Sequence, residues 1–499
     1  MAKVTLSENG NRQFFIVENS APLMPLLQKA GALAFPCAGN HTCGKCRVHA
    51  SGKVSAMTAR ERALLGDAPE GVRLACFLKA EGDCEVTADS PSRIHVLTDW
   101  QADFVPEPIY TGYSAAFDIG TTTVAGYLYS SAHPFPIQTS GEPNRQASFG
   151  ADVISRIEAC YDGGLPLQRD CIRTQLRQML DTLCQRAGIR PNEVRMLTAA
   201  GNTVMLHLLA GLDTRGLAAV PFEPATLFGE WQSWHLQGYP ETQIFLPACM
   251  SAYVGADITC SVLASGMLET DQVTMLLDIG TNGEMALFDK TNLVCCSTAA
   301  GPAFEGAGIS CGSGAVPGAV YQVSSDQNGI DYQVINRGPP KSICGSGLLD
   351  AAAVFLDLGM LEPSGRIVDG EELPIGDSGL KLTQQDIRQL QLAKAAITAG
   401  WETLLHESGV GLEQVERVLL CGGFGRFLNI RSAVRIGMLA PSLAEKAQTI
   451  GNAAGTGAGM LLQSKQAFLN SQKIAQKAKT IELSTNAYFM ERFIDTMLF

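Results

Sequence analysis

The sequence predicts a small α+β unit followed by a larger α/β region with two lobes. Three observations carry this. Four cysteines are gathered within the first 76 residues. Beyond residue 112 the chain alternates apolar runs, glycine turns and helical stretches. One pattern, an apolar strand running into Asp-x-Gly-Thr, occurs twice.

The first 90 or so residues read as the β-rich unit. Val4–Leu6 and Gln13–Val17 have strand character around an Asn9-Gly10 turn, Leu23–Gly31 reads as a short helix, and Cys84–Thr87 as a closing strand. Prolines at 91, 106 and 108 mark a linker. The expected division is therefore residues 1–90, a linker over 91–112, and a large region over 113–499. Within that region Ala116-Phe117-Asp118-Ile119-Gly120-Thr121-Thr122-Thr123 is echoed by Leu276-Leu277-Asp278-Ile279-Gly280-Thr281-Asn282-Gly283, with the two aspartates 160 positions apart. That period is too long for a solenoid and suggests two similar lobes, each offering a turn to one cleft. A helix is expected over Gln384–Leu405, opened by a Thr383/Asp386 capping box. Its stripe of Ile387, Leu390, Ala393, Ile397, Trp401 and Leu404 is expected in the core.

Composition narrows the function classes. The chain has 499 residues, 46% hydrophobic and 17% charged, which is a globular balance with room for more than one core. A net charge of -12 argues against general nucleic-acid binding, which needs basic patches. Met1–Asn9 lacks a basic stretch leading into an apolar run, so no secretory signal is expected. No apolar run is long enough for a membrane span; Met196–Leu212 comes nearest, but contains Asn202 and His207. A reducing, cytoplasmic setting is expected, with the fifteen cysteines as thiols or metal ligands.

Cys37, Cys43, Cys46 and Cys76 fall in the spacing C-x5-C-x2-C-x29-C. Thiolates from one loop and one distant turn can ligate the two irons of a [2Fe-2S] cluster, with nearby glycines letting backbone amides approach the sulfurs. Zinc favours two separated knuckles, and only one C-x2-C is present here. The first gap is one residue longer than the plant-type spacing. Cys84 is the weaker candidate for fourth ligand, and the other cysteines are expected as buried thiols, Cys295 and Cys296 included. The segment resembles the ferredoxin-like [2Fe-2S] family, which implies a β-grasp fold.

Gly120 and Gly280 permit tight turns close to phosphate oxygens. Thr121, Thr122, Thr123, Thr281, Asn282 and Gly283 surround them with hydroxyl, amide and backbone donors. Asp118 and Asp278 can face one another and hold Mg²⁺ through water. Downstream, Gly422-Gly423-Phe424-Gly425 follows the strand Val418–Cys421, a strand running into a glycine turn that resembles the adenosine motif of the actin, hexokinase and heat-shock ATPase superfamily. No G-x-x-x-x-G-K-[ST] is present, which argues against a P-loop fold. These turns resemble the phosphate hairpins of the actin, hexokinase and heat-shock ATPase superfamily, which implies ATP bound between two lobes. Gly451–Ala458 resembles that superfamily's small-residue hinge helix, here expected to serve close packing.

Further segments point to one family: Asn144-Arg145-Gln146 with Gly150-Ala151-Asp152-Val153, Gly201–His207, Ala300–Gly306, Ile343–Leu348 and Ala393–Ala396. Together with the cysteine loop they resemble the reductive activators of corrinoid proteins over nearly the whole chain. One departure is the short linker before the first phosphate turn, where longer members carry an additional region. The resemblance implies an ATP-hydrolysing iron–sulfur reductase that returns a corrinoid protein of a methyltransferase system from Co(II) to Co(I). It also implies an upstream electron donor and a homodimer. Glu305 is expected to touch nucleotide or report its state, and His207 is a cleft candidate against a core reading. The alternatives are an ATP-binding redox sensor, an activator of another low-potential metalloenzyme such as a radical dehydratase, and a small-molecule kinase.

Overall fold

The computed structural model describes the whole chain except residues 9, 10, 31, 32, 34, 36, 38, 43, 67, 89–103, 328 and 423–427. The Asn9-Gly10 turn, most of the expected linker, Cys43, Gly423, Phe424 and Gly425 therefore lie outside the described residues. The chain forms two compact units. One comprises residues 1–92, 143–176 and 207–225; the other comprises 93–142, 177–206 and 226–499.

The first unit opens with β1 (Ala2–Glu8), β2 (Asn11–Val17), β3 (Ala21–Pro22) and α1 (Met24–Ala30), followed by β4 (Arg47–Val54), α2 (Ala59–Leu65), β5 (Val72–Leu74) and β6 (Lys79–Ala88). The strand order is β2-β1-β6-β4-β5, with β1 antiparallel to β2 and parallel to β6. The alternation in β1 explains its placement: Ala2, Val4 and Leu6 are buried, and they meet Leu27 of α1, Phe35, Leu74 and Val86 in one core. The same unit contains Asn144–Ser148, where Ser148 O accepts from Gln28 Nε2 (2.7 Å) and Ala147 O accepts from Phe35 N (3.1 Å).

The second unit is built on two six-stranded sheets of matching plan. β7 (Tyr113–Ile119), β8 (Thr123–Ser130) and β9 (His133–Pro143) lead the first. Helix α3 (Val153–Ala159) falls among the residues of the first unit, and α4 (Leu165–Ala187) and α5 (Thr203–Ala210) have residues in each; β10 (Val194–Gly201), β11 (Glu230–Gln232), β12 (Gln243–Leu246) and α6 (Ala256–Ser265) continue the second unit. The order is β11-β12-β10-β7-β8-β9, with β12, β10 and β7 parallel. The expected near-span Met196–Leu212 is thus a strand turning into a short helix. Among the described residues no helix is long and apolar enough to cross a membrane.

The second sheet repeats this with β13 (Thr274–Ile279), β14 (Gly283–Phe288) and β15 (Leu293–Thr298). An intervening part contains β16 (Ala319–Asp326), β17 (Gly329–Val334), β18 (Ser342–Ile343), α7 (Gly345–Asp357), β19 (Glu372–Pro374), β20 (Lys381–Thr383) and α8 (Gln384–Ser408). Then come β21 (Arg417–Cys421), α9 (Ile430–Arg435), β22 (Ala447–Thr449), α10 (Ala453–Gln463), α11 (Lys465–Lys477), β23 (Lys479–Ile481) and α12 (Ala487–Asp495). In the order β22-β21-β13-β14-β15-β23, the five strands β22-β21-β13-β14-β15 correspond to β12-β10-β7-β8-β9, with β21 parallel to β13 as β10 is to β7, while β11 and β23 are added at opposite edges.

Helix α8 begins where its sequence signal lies. Thr383 Oγ1 accepts from Asp386 N (3.2 Å), and the Asp386 carboxylate accepts from Thr383 N (2.8 Å). It ends at Gly409, whose φ of +63° suits glycine. Its stripe from Ile387 to Leu404 is buried, as the spacing predicts. Helix α10 lies so close to α6 that a Cβ on Gly457 would stand 2.0 Å from Cys260 O.

Candidate functional site

Two groups of side chains are chemically notable, one in each unit. In the first, α2, the 3-10 turn Ala75–Phe77 and the loop before β4 are tied together. Ala75 N donates to Cys46 O (2.8 Å), and Cys46 Sγ lies 3.4 Å from Cys76 Sγ. That is far longer than a disulfide, which is about 2.05 Å, and close enough for two thiolates to share one metal. Cys37, which is not in a disulfide, stands half-buried in the same loop. Gly39 (φ +84°) and Gly44 (φ +63°) bend it; a Cβ on Gly44 would meet Leu64 O at 2.8 Å. Cys84 is elsewhere, inside the β6 core, where burial and then the charge of Asp83 push its thiol up.

Among the described residues, no three His, Cys, Asp or Glu side chains are grouped to hold one metal ion. A two-iron cluster does not need such a group, since four cysteines serve two irons. The soft donor pair Cys46–Cys76 is of a kind that suits iron.

Glu61, unmarked in the sequence, anchors this turn. Fully buried, it accepts from Arg73 Nε (2.8 Å), Arg73 Nη2 (2.9 Å) and Leu74 N (2.9 Å), two to three residues before Cys76. Burial alone would raise its carboxyl; the bonds from Arg73 and Leu74 outweigh that and hold it below its ordinary value.

In the second unit the two Asp-x-Gly-Thr turns meet over one cleft. Asp118 ends β7 opposite Ala125, and Asp278 ends β13 opposite Glu284. Thr122 Oγ1 lies 3.3 Å from Thr281 Oγ1, although 159 residues separate them. Glu305, on the 3-10 turn Pro302–Glu305, joins both: its Oε2 accepts from Thr122 Oγ1 (2.7 Å) and from Thr281 Oγ1. Asn452 Nδ2 donates to Asp118 Oδ2 (2.8 Å) while its Oδ1 caps α10 at Gly455 N.

Gly120, Thr121, Thr122, Thr123, Gly280, Thr281 and Asn282 all line this cleft, as expected. So does Gly422, with φ +88°; a Cβ there would stand 2.4 Å from Asp278 Oδ1. Gly283 is turned instead toward α8, where a Cβ would meet Ile397 Cδ1 at 2.3 Å. His207 is a fully buried residue of α5 and is absent from the cleft lining, so its cleft candidacy gives way to the core reading.

The electrostatics of the cleft are lopsided. Asp118, Asp257, Asp278, Glu284 and Glu305 line it, and no described lining residue is basic. Burial pushes Asp118 up to about 6, against the lowering bond from Asn452. Asp278 is pushed up to about 7, first by burial and then by the Asp118 charge. Asp257 and Glu284 are held well above the usual range by burial, then by their carboxylate neighbours. Among the described residues, Glu284 Oε1 has no hydrogen-bond partner. Such a site calls for cations or protons.

Sequence reasoning missed Asp257, Glu284, Asn202, Asn452 and Ser346 as lining residues. Asn202, Ser346 and Asn452 stood in segments already singled out. Asp257 and Glu284 carried no signal except their positions near glycine.

Residues 272–499 match the family model described as the C-terminal domain of RACo, the ASKHA domain, and residues 113–270 match the RACo middle region. The chain is 31% identical over 448 residues to the corrinoid activation enzyme RamQ of Eubacterium limosum, covering 82% of this chain and 74% of that protein. It is 26% identical over 408 residues to the [Co(II) methylated amine-specific corrinoid protein] reductase of Methanosarcina barkeri, covering 73% and 72%. A solved reductive activator for corrinoid, iron-sulfur protein superposes over 100% of this chain and 98% of its own, with TM-score 0.73 and 28% identity.

Proposed function

Since the chain belongs to the family of reductive activators of corrinoid proteins, we propose that it uses ATP to drive one electron onto the cobalt of a corrinoid protein, converting inactive Co(II) to Co(I) for methyl transfer. The observation that carries this reading is the pairing, in one chain, of a thiolate site suited to iron with a hydroxyl-and-carboxylate cleft suited to Mg²⁺–ATP.

The strand order β2-β1-β6-β4-β5 with its helix supports a ferredoxin-like β-grasp unit over residues 1–90, joined by a linker over 91–112 to a two-lobed actin-like ATPase over 113–499. Cys37, Cys43, Cys46 and Cys76 would hold a [2Fe-2S] cluster, which supplies one electron at a time at low potential. Asp118 and Asp278 would hold Mg²⁺ through water; five lining carboxylates and no base give nucleotide phosphates little welcome unless a cation accompanies them. Thr121, Thr122, Thr281 and Asn282 would donate to phosphate, and Gly422 with Gly423, Phe424 and Gly425 would pass the nucleoside. ATP can favour an uphill transfer only by binding one conformation better than another, so cleft closure is the step that ATP drives. The reading extends to an upstream one-electron donor, a homodimer and a cytoplasmic setting.

Anaerobic absorption spectroscopy of a candidate corrinoid protein tests it. Co(I) should form with this protein, reductant and Mg²⁺–ATP, and not when ATP is withheld. Equal Co(I) formation without ATP would overturn the role of the cleft. A phosphorylated small molecule among the products would favour a kinase.

A further inference from the structure

The phosphate turns are not idle in this structure. Thr122 and Thr281, the hydroxyls best placed to donate to a nucleotide phosphate, both donate to one oxygen of Glu305. They come from different sheets and stand 3.3 Å apart, so the carboxylate is a bridge between the two halves of the cleft. A carboxylate oxygen accepting from two hydroxyls is a small anion in an anion's place. A phosphate arriving there would compete for the same donors and be repelled by the charge.

We propose that Glu305 is a built-in phosphate substitute, occupying the donor pair Thr122–Thr281 until the nucleotide displaces it. This rests on the nucleotide reading of the cleft. The local chain suits a side chain that must leave. Glu305 ends a single 3-10 turn bounded by Gly301 (φ +78°) and Gly306 (φ +77°), two positions in the left-handed region. A Cβ on Gly301 would meet nothing within 4 Å, so the near side of the turn has room. The far side is fixed. A Cβ on Gly306 would stand 2.2 Å from Ser313 O, and Ser310 donates through N (2.7 Å) and Oγ (2.6 Å) to Asp386, the residue that boxes the start of α8. The segment that follows Glu305 is thus tied through Ser310 to the start of α8, the longest helix among the described residues. Nucleotide arrival at the two hydroxyls would be felt there without any direct contact.

The test is nucleotide affinity of the full-length protein, measured by calorimetry with Mg²⁺ and a non-hydrolysable ATP analogue, for wild type, Glu305→Ala and Glu305→Gln. A substitute that competes with phosphate predicts about ten-fold or greater tightening in Glu305→Ala, the scale of a charge-assisted bond. Glu305→Gln, which keeps an acceptor oxygen but loses the charge, should tighten less. Unchanged or weaker binding in Glu305→Ala would overturn the proposal and make Glu305 a structural tie or a ligand contact. If neither wild type nor either variant binds the analogue, the nucleotide reading itself fails.

Discussion

The cysteine loop and the carboxylate cleft bring polar and charged side chains together in opposite ways. The thiolate site is assembled locally: Cys37, Cys46 and Cys76 fall within 40 residues, their turn is locked by the Glu61–Arg73 pair, and each charged member of that pair is answered by the other. The cleft is assembled from residues far apart in sequence, from Asp118 to Asn452, and its charges are nearly all of one sign. The first is ready before its ligand arrives. The second is held against its own repulsion, by protons or by whatever cation comes with the nucleotide. Four measurements can break or sharpen that contrast.

The largest effect is expected at Cys76. Cys76→Ser should remove most iron and acid-labile sulfide from purified protein, because it takes away half of the Cys46–Cys76 pair. Cys84→Ser should retain both, since Cys84 sits in the β6 core. The reverse ranking in iron analysis would sink the ligand assignment. ATP hydrolysis should survive in both variants.

Next is Glu61→Ala, which strands a mostly buried guanidinium and frees Leu74 N. Breaking such a pair costs about 3–5 kcal/mol. Denaturant unfolding followed through the visible absorption of the cluster should show a lower midpoint, equivalent to a loss of unfolding free energy of that size. A change below about 1 kcal/mol would mean the turn is held by something else.

At the cleft, Asp118→Ala and Asp278→Ala should each lower Mg²⁺-dependent ATP turnover roughly 10²–10³-fold, the usual range for one electrostatic group at a phosphate site. The cluster spectrum should not change. Full ATPase activity in both variants would dissolve the contrast, because the cleft would then have no chemistry to set beside the thiolates.

How much of this was readable beforehand follows from the same contrast. The approach of Cys46 to Cys76 is foreshadowed by cysteine spacing, while Glu61 could not be singled out, because a lone glutamate on a helix announces no partner. In the cleft the doubled Asp-x-Gly-Thr pattern exposed both turns and the two-lobed plan. It hid a difference of one residue: Ile119 pairs with Val124, whereas Ile279 pairs with Gly283, so the first turn is one residue longer. The slip puts Ala125 opposite Asp118 but Glu284 opposite Asp278, and moves Gly283 out of the turn to meet Ile397. The strands of the two sheets were legible as apolar runs, and α8 through its capping box. Residues brought in by long connections, Asp257 on α6 and Asn452 before α10, needed the fold itself.

The smallest effect is the most diagnostic of a cleft held against itself. Asp118 and Asp278 are raised from an ordinary 3.8 to about 6 and about 7. Between pH 4 and 7 the folded state therefore binds protons that the unfolded state has released, and stability falls as pH rises through this window. The sign is opposite to that of Glu61, whose lowered carboxyl contributes stability that is lost on acidification. Asp278→Asn removes one titration without changing shape. Thermal unfolding of nucleotide-free protein in chelator should show the variant gaining on wild type from pH 5.5 to 8, by about 1–2 kcal/mol at the upper end. Taking the difference cancels the titrating groups that do not interact with Asp278. Added Mg²⁺ should narrow the gap by raising wild type alone, and more at pH 8 than at pH 6, because only the ionised pair attracts the cation. A variant that is equally offset from wild type at every pH would show that Asp278 carries no excess proton. The repulsion would then have to be borne by Asp257 and Glu284, the two buried carboxylates that line the same cleft.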